Sequence, residues 1–274
     1  MSVHSETPEF LVNGRSDDCV DVRDRGFMLG DGLFETIAVR NGTPRFWQAH
    51  MDRLVDGAMR LGLPAPVPGT LADEAERVVA GRDGTLRITW TRGPGPRGYA
   101  VRGEPTPSRV LAFYPGRPAP RPRPLRLRWC TTRLAIQPLL AGLKHLNRLE
   151  QVLARAEWTD DAIDEGIVCA HDGRVVECVA ANLFLVRDGT VMTPDLSECG
   201  VAGVVRREVL VVARGLGHET RIVRIEATDV ESADEVFVTN ATLGVAAVGQ
   251  VGARTLDAPG PVTARLARAI EERE

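Results

Sequence analysis

The sequence predicts an α+β protein of two domains, each a run of short strands interrupted by helices. Three observations carry that expectation. Tight-turn pairs, Asn41-Gly42, Asp172-Gly173 and Asp188-Gly189, separate short apolar and β-branched runs. Other stretches repeat apolar residues at helical spacing, as Met51, Leu54, Met59 and Leu61 do. Finally, Pro115–Pro124 holds five prolines in ten residues, which excludes a helix or a central strand and makes a stiff connector. The expected domains are therefore 1–114 and 125–274. A length of 274 residues, at roughly 150 per domain, suits the same division.

In the first domain, Phe10–Asn13 reads as an opening strand and Arg25–Gly32 as a glycine-broken turn. Leu33–Arg40 is a predicted strand, Asn41-Gly42 its hairpin turn, and Arg45 and Phe46 lie on the predicted return strand. Helices are predicted over Trp47–Leu61 and Leu71–Val79, and strands over Leu86–Trp90 and Arg109–Phe113. Thr91–Tyr99, rich in glycine and proline, is a loop between those strands.

In the second domain, strands are predicted at Leu125–Cys130, Gly166–Ala170, Val175–Glu177, Leu183–Val186, Val191–Thr193, Thr220–Ile225 and Glu235–Thr239. Helices are predicted at Leu146–Trp158 and Val204–Leu216.

Composition narrows the function. Thirty-four basic against 37 acidic residues give a net charge of −3, unsuited to a nucleic-acid protein that works by neutralising phosphates. No apolar run reaches the ~18 residues of a membrane span. The opening residues lack the basic and apolar regions of a signal peptide. Five cysteines contain no Cys-x-x-Cys pair, and the histidines no His-Glu-x-x-His. No metal site is expected, and a reducing, cytoplasmic location is.

Lys144 is the only lysine among the basic residues. Lysine can lose its proton and attack a carbonyl to form a Schiff base, whereas arginine, with a pKa above ~12, cannot. Lys144 stands just before the predicted helix carrying Leu146, Leu149 and Val152, at the rim of a core, where burial lowers an amine's pKa. A Schiff-base lysine points to pyridoxal phosphate, and that cofactor wants three further things. Its ring nitrogen wants a carboxylate, which Glu177 offers from an apolar stretch. Its phosphate wants amides at a helix start, and Gly200–Arg206 leads into the predicted helix at Val204. The phosphate also suits a cation and hydroxyl donors, for which Arg53 and the loop Thr239–Gly244 are candidates.

These segments occur together as Asp24–Thr36 (DRGFMLGDGLFET), His50-x-x-Arg53, Arg92–Tyr99 (RGPGPRGY), Leu143–Gln151 (LKHLNRLEQ), Glu177–Phe184 (ECVAANLF) and Gly200–Arg206 (GVAGVVR). In that order they resemble the class IV, or branched-chain-type, pyridoxal-phosphate enzymes, over nearly the whole chain. Within that class they are most similar to the 4-amino-4-deoxychorismate lyases. The resemblance implies a homodimer of two-domain subunits acting on a small molecule. It implies that Lys144 carries the cofactor, that Glu177 meets the pyridine nitrogen, and that Arg53, the amides of Val204 and Val205, and Thr242 hold the phosphate. A substrate with two carboxylates suits arginine forks, and Arg97, then Arg92, are the expected contacts. Val179-Ala180-Ala181 and Asn147-Arg148 depart from the serine-rich and aromatic residues of transaminases, favouring the lyase. A D-amino-acid or branched-chain transaminase of the same fold is the alternative.

Overall fold

The computed structural model describes residues 9–116 and 123–273. The chain divides into two compact units, Met1–Ala119 with Lys144–Asn147, and Pro120–Leu143 with Arg148–Glu274. Residues 117–122, the centre of the proline connector, lie outside the described residues.

The first unit comprises β1 (Glu9–Val12), β2 (Arg15–Ser16), α1 (Arg25–Leu29), β3 (Gly32–Arg40), β4 (Thr43–Pro44), α2 (Trp47–Arg60), α3 (Pro68–Val79), β5 (Gly84–Thr91) and β6 (Arg109–Pro115). Its strands form one sheet in the order β2-β1-β6-β5-β3-β4. β3 and β5 pair antiparallel from Gly32 opposite Thr91 to Val39 opposite Gly84. α2 packs on β3 and α3 on β1, β5 and β6, enclosing Ile37, Leu54, Leu71, Leu86, Ile88 and Phe113. Burying each such side chain contributes about 1.5–3 kcal/mol.

Two local expectations change here. The predicted turn at Arg25 is a short helix, because Asp24 accepts hydrogen bonds from the amides of Gly26 and Phe27 and Gly30 closes it at φ 67°. The return strand stops at Pro44, since Phe46 takes a left-handed φ of 53° and opens α2.

The second unit comprises β7 (Leu125–Leu134), α4 (Leu149–Arg155), β8 (Glu165–Ala170), β9 (Val175–Cys178), β10 (Asn182–Arg187), β11 (Thr190–Pro194), α5 (Val204–Gly215), β12 (Thr220–Val223), α6 (Ala227–Ser232), β13 (Glu235–Asn240), β14 (Gly244–Val251), β15 (Arg254–Thr255) and α7 (Pro261–Glu271). Its sheet runs β12-β11-β10-β13-β14-β7-β8-β9, with β15 paired to β14. The β10–β11 hairpin turns at Asp188 and Gly189, at φ 49° and 74°, the two positive values a tight hairpin needs. Phe184 and Phe237 stack at 4.8 Å between ring centroids across β10 and β13. α7 starts with Pro261, and the buried Glu235 accepts from the amides of Val262 and Thr263 at its first turn.

Helix α4 is shorter than expected. It begins at Leu149, not Leu146, because the residues before it are held in extended backbone pairing.

Candidate functional site

In the first unit, the segment around Lys144 is a strap along the start of β3. The Phe34 amide donates to the Lys144 carbonyl and the Leu146 amide to the Gly32 carbonyl, both at 3.0 Å. His145 stands opposite Leu33 in an antiparallel bridge. This close approach explains the glycines of Leu29-Gly-Asp-Gly-Leu33. A Cβ on Gly32 would lie 2.6 Å from the Trp90 carbonyl oxygen and 2.9 Å from Leu146, and one on Gly30 2.5 Å from Asn147 Oδ1. Asn147 in turn donates to the Gly30 carbonyl at 3.1 Å. The expected helix-start setting of Lys144 is thus corrected: backbone pairing fixes it. Lys144 is half-buried, with Nζ 4.3 Å from the centroid of the Phe34 ring, a cation–π distance.

Beside the strap lies a buried charge cluster. Glu35, on β3, accepts from Arg53 Nε at 2.8 Å and from Arg53 Nη2, and contacts His50 Nδ1 at 2.6 Å. Glu35 and His50 are each 1% exposed. Burial alone would raise the Glu35 carboxyl, but the Arg53 charge and the hydrogen bonds from His50 and Arg53 outweigh it, leaving a pKa of about 2. Burial pushes His50 down more than Glu35 pulls it up, with the charges of Arg53 and Lys144 adding to the fall. His50 is therefore neutral, its Nδ1–H donates to Glu35, and its buried Nε2 has no hydrogen-bond partner. Arg53 is consequently a guanidinium held in place by an ionised carboxylate.

Arg92 and Arg97 separate. Arg92 is buried, and its Nε and Nη2 donate to Asp31 at 2.7 and 3.1 Å. Its Nη1 and Nη2 also reach the carbonyls of Gly62 and Leu61 at 2.7 and 2.9 Å. The expected substrate role of Arg92 is corrected on that ground: its fork is occupied by internal acceptors. Arg97 is exposed on the loop following β5.

In the second unit, Glu177 is 4% exposed on β9, and its Oε2 accepts from the Val201 amide at 2.8 Å. Gly200, at φ 87°, sits against it, and a Cβ there would be 3.3 Å from Glu177 Oε2. Gly142 pairs with the same loop, donating to the Gly200 carbonyl and accepting from the Ala202 amide. Asn182 holds the Val201 carbonyl at 2.8 Å, and a Cβ on Gly203 would come within 2.0 Å of Asn182 Oδ1. α5 then starts at Val204 with no side-chain cap on Gly203, leading with the amides of Val204 and Val205. Arg206, on the same turn, is buried and bound to Thr193 Oγ1 and the Pro194 carbonyl. Burial lowers the pKa of Arg148, at the N-cap of α4, while the charges of Glu177 and Glu150 raise it.

At the end of β13, Thr239 Oγ1 is buried without a hydrogen-bond partner. Thr242 lies in the β13–β14 turn, where its amide and hydroxyl both donate to Asn240 Oδ1 at 3.0 Å. It thus belongs to an Asn240-centred turn. An uncapped helix start, a buried carboxylate bonded to its approach and an orphaned buried hydroxyl form a donor set that fits an aromatic nitrogen cofactor with a phosphate.

Residue reasoning missed Glu35, Arg25 and Asp31. Glu35 carries the signal that marked Glu177, a carboxylate within an apolar strand, while Arg25 and Asp31 look like surface charges in a turn.

Residues 32–251 match the family model for amino-transferase class IV. An aminodeoxychorismate lyase of Vibrio harveyi is 39% identical over 264 residues, covering 94% of this chain and 97% of its own. The crystal structure of 4-amino-4-deoxychorismate lyase from Pseudomonas aeruginosa is 46% identical at a TM-score of 0.91, covering 96% of this chain and 98% of that one. A D-alanine aminotransferase of Listeria monocytogenes is 29% identical, covering 93% and 92%.

Proposed function

Because the chain belongs to the amino-transferase class IV family, we propose that it converts 4-amino-4-deoxychorismate to 4-aminobenzoate and pyruvate, a step towards folate, with pyridoxal phosphate as cofactor. The observation that carries this reading over a transaminase is full-length identity: 39% and 46% to proteins named as that lyase, against 29% to a D-alanine aminotransferase.

When bound, pyridoxal phosphate supplies an aldehyde that condenses with amines and a protonated ring that draws electrons from the adjoining carbon. Lys144 would hold it covalently through Nζ. Its Nζ, when not so engaged, would act as the general base that takes the proton from substrate C4. The C–O bond to the enolpyruvyl group breaks, the departing enolate gains a proton to become pyruvate, and the ring becomes aromatic. Glu177 would keep the cofactor's ring nitrogen protonated. Arg53, the amides of Val204 and Val205, and Thr242 would bind the phosphate; for Thr242 this requires exchanging Asn240 for that group. Arg97 would pair with a substrate carboxylate. Aromatisation drives the reaction, so positioning and charge stabilisation are the main work left to the protein.

A homodimer fits the exposed apolar face of α4, where Leu149, Val152 and Leu153 recur at helical spacing. Cytoplasmic residence fits the five unpaired cysteines. Among the described residues, no helix is long and apolar enough to cross a membrane.

Incubation with aminodeoxychorismate tests the reading. Equal amounts of 4-aminobenzoate and pyruvate are expected. Amino-group exchange with pyruvate or 2-oxoglutarate, without aromatic product, would replace it with the transaminase.

A further inference from the structure

Arg25 has no part in the chemistry above, yet it holds the loop that carries Arg97. Its side chain is 8% exposed, and Nε donates to Asp31 Oδ2 at 2.9 Å. Nη1 and Nη2 donate to the carbonyls of Gly98 and Tyr99 at 2.9 and 3.1 Å, the two residues that follow Arg97. The preceding side of the loop is fixed from the same turn. The Arg25 amide donates to the Gly93 carbonyl at 2.9 Å, and the Gly95 amide to the Arg23 carbonyl at 3.1 Å. Thr91 Oγ1 donates to Asp24 and accepts from the Gly93 amide. Gly93 is indispensable there, because a Cβ would lie 1.7 Å from the Thr106 carbonyl oxygen.

The backbone on both sides of Arg97 is thus pinned, while the Arg97 side chain extends into solvent. A glycine-rich loop held this way has already lost the entropy that carboxylate binding would otherwise cost. Arg25 and Arg92, both nearly buried, share the carboxylate of Asp31, which ties the Arg25 clamp to the start of the same loop.

We propose that Arg25 is a positioning residue that presents Arg97 to a substrate carboxylate. The proposal rests on the role given above to Arg97 and adds a residue acting through it.

Arg25→Met tests it while keeping the aliphatic stem. The KM for aminodeoxychorismate should rise about tenfold or more, with kcat moving about threefold or less and cofactor absorbance retained. Arg25→Lys should recover part of the loss. Adding Arg25→Met to Arg97→Ala should raise KM little beyond Arg97→Ala alone, because the two act in series. Amide exchange across 97–101 should be faster in Arg25→Met. A wild-type KM, fully additive losses or wild-type exchange in that loop would each overturn the proposal. If Arg25→Met does not fold, Arg25→Lys is judged by the same exchange and KM measurements. If the wild-type protein makes no 4-aminobenzoate, the lyase reading fails, and loop exchange still decides whether Arg25 is the clamp.

Discussion

The lysine-bearing unit and the carboxylate-bearing unit hold charge by different means. In the first, buried side chains face one another: Glu35 with Arg53 and His50, Asp31 with Arg25 and Arg92. In the second, Glu177 is met by a backbone amide, and the helix that follows opens with uncapped amides behind two closely packed glycines. Side-chain pairs titrate and can be broken by neutralising one partner. Backbone amides do neither, but they depend on clearance that one methyl group removes. The Glu35 cluster should therefore be vulnerable to acid, and the Gly200–Gly203 approach to added Cβ atoms.

The largest effect expected leaves both charge systems in place. Lys144→Ala should lower product formation by about a thousandfold or more while the melting temperature changes little. A yellow, fully active Lys144→Ala protein would contradict the scheme. Glu177→Gln should keep the cofactor but slow turnover, since a neutral amide cannot hold the pyridinium.

Next comes clearance. Gly203→Ala drives a methyl into Asn182 Oδ1, and should cost about 1–3 kcal/mol with a clear loss of pyridoxal-phosphate affinity by titration. Gly215, at the other end of the same helix, has nothing within 4 Å of a Cβ. Gly215→Ala should instead stabilise by about 0.5–1 kcal/mol and leave the affinity alone. Equal effects at both positions would remove the special role of Gly203.

The smallest effect is the acid response. His50 has a folded pKa below 6.5, so the unfolded chain takes up the proton first. Its contribution is complete above pH 6.5 and is lost as pH falls from there towards the folded value. Glu35, lowered from 4.5 to about 2, contributes fully above pH 4.5 and loses that contribution as pH falls towards 2. Amide exchange in α2 should quicken through these two windows earlier than in α5. Glu35→Gln should cost about 1–2 kcal/mol, less than a fully buried pair would because Arg53 is 16% exposed, and should remove the lower window. Identical acid profiles for α2 and α5 would erase the contrast between the units.

Much of this architecture is legible in the sequence where local chemistry decides it. Asp188-Gly189 forces its hairpin, and the apolar spacing of Met51 and Leu54 sets α2. β14 is harder to read, because Gly244, Ala246, Ala247 and Gly249 carry little strand preference and neighbouring strands impose it. α7 does carry its own signals, Pro261 at the first position and Leu266 and Ile270 at helical spacing. At the site, the rarity of lysine singles out Lys144, but a strap laid on β3 depends on pairing across more than a hundred residues. Shorter separations, of 61, 31 and 30 residues, still hide Arg92, whose partners Asp31, Leu61 and Gly62 meet it only in the fold. Glu35 and Glu177 share one local signature, an acid in an apolar strand. What tells them apart is tertiary: a guanidinium at one and an amide at the other.

Covalent capture at Lys144 is the claim on which the chemistry depends. Borohydride reduction of the protein loaded with pyridoxal phosphate, followed by peptide mapping, tests it most directly. A pyridoxyl mass addition on the peptide containing Lys144 is the predicted result. Loaded protein whose Lys144 peptide stays unmodified after reduction would contradict it.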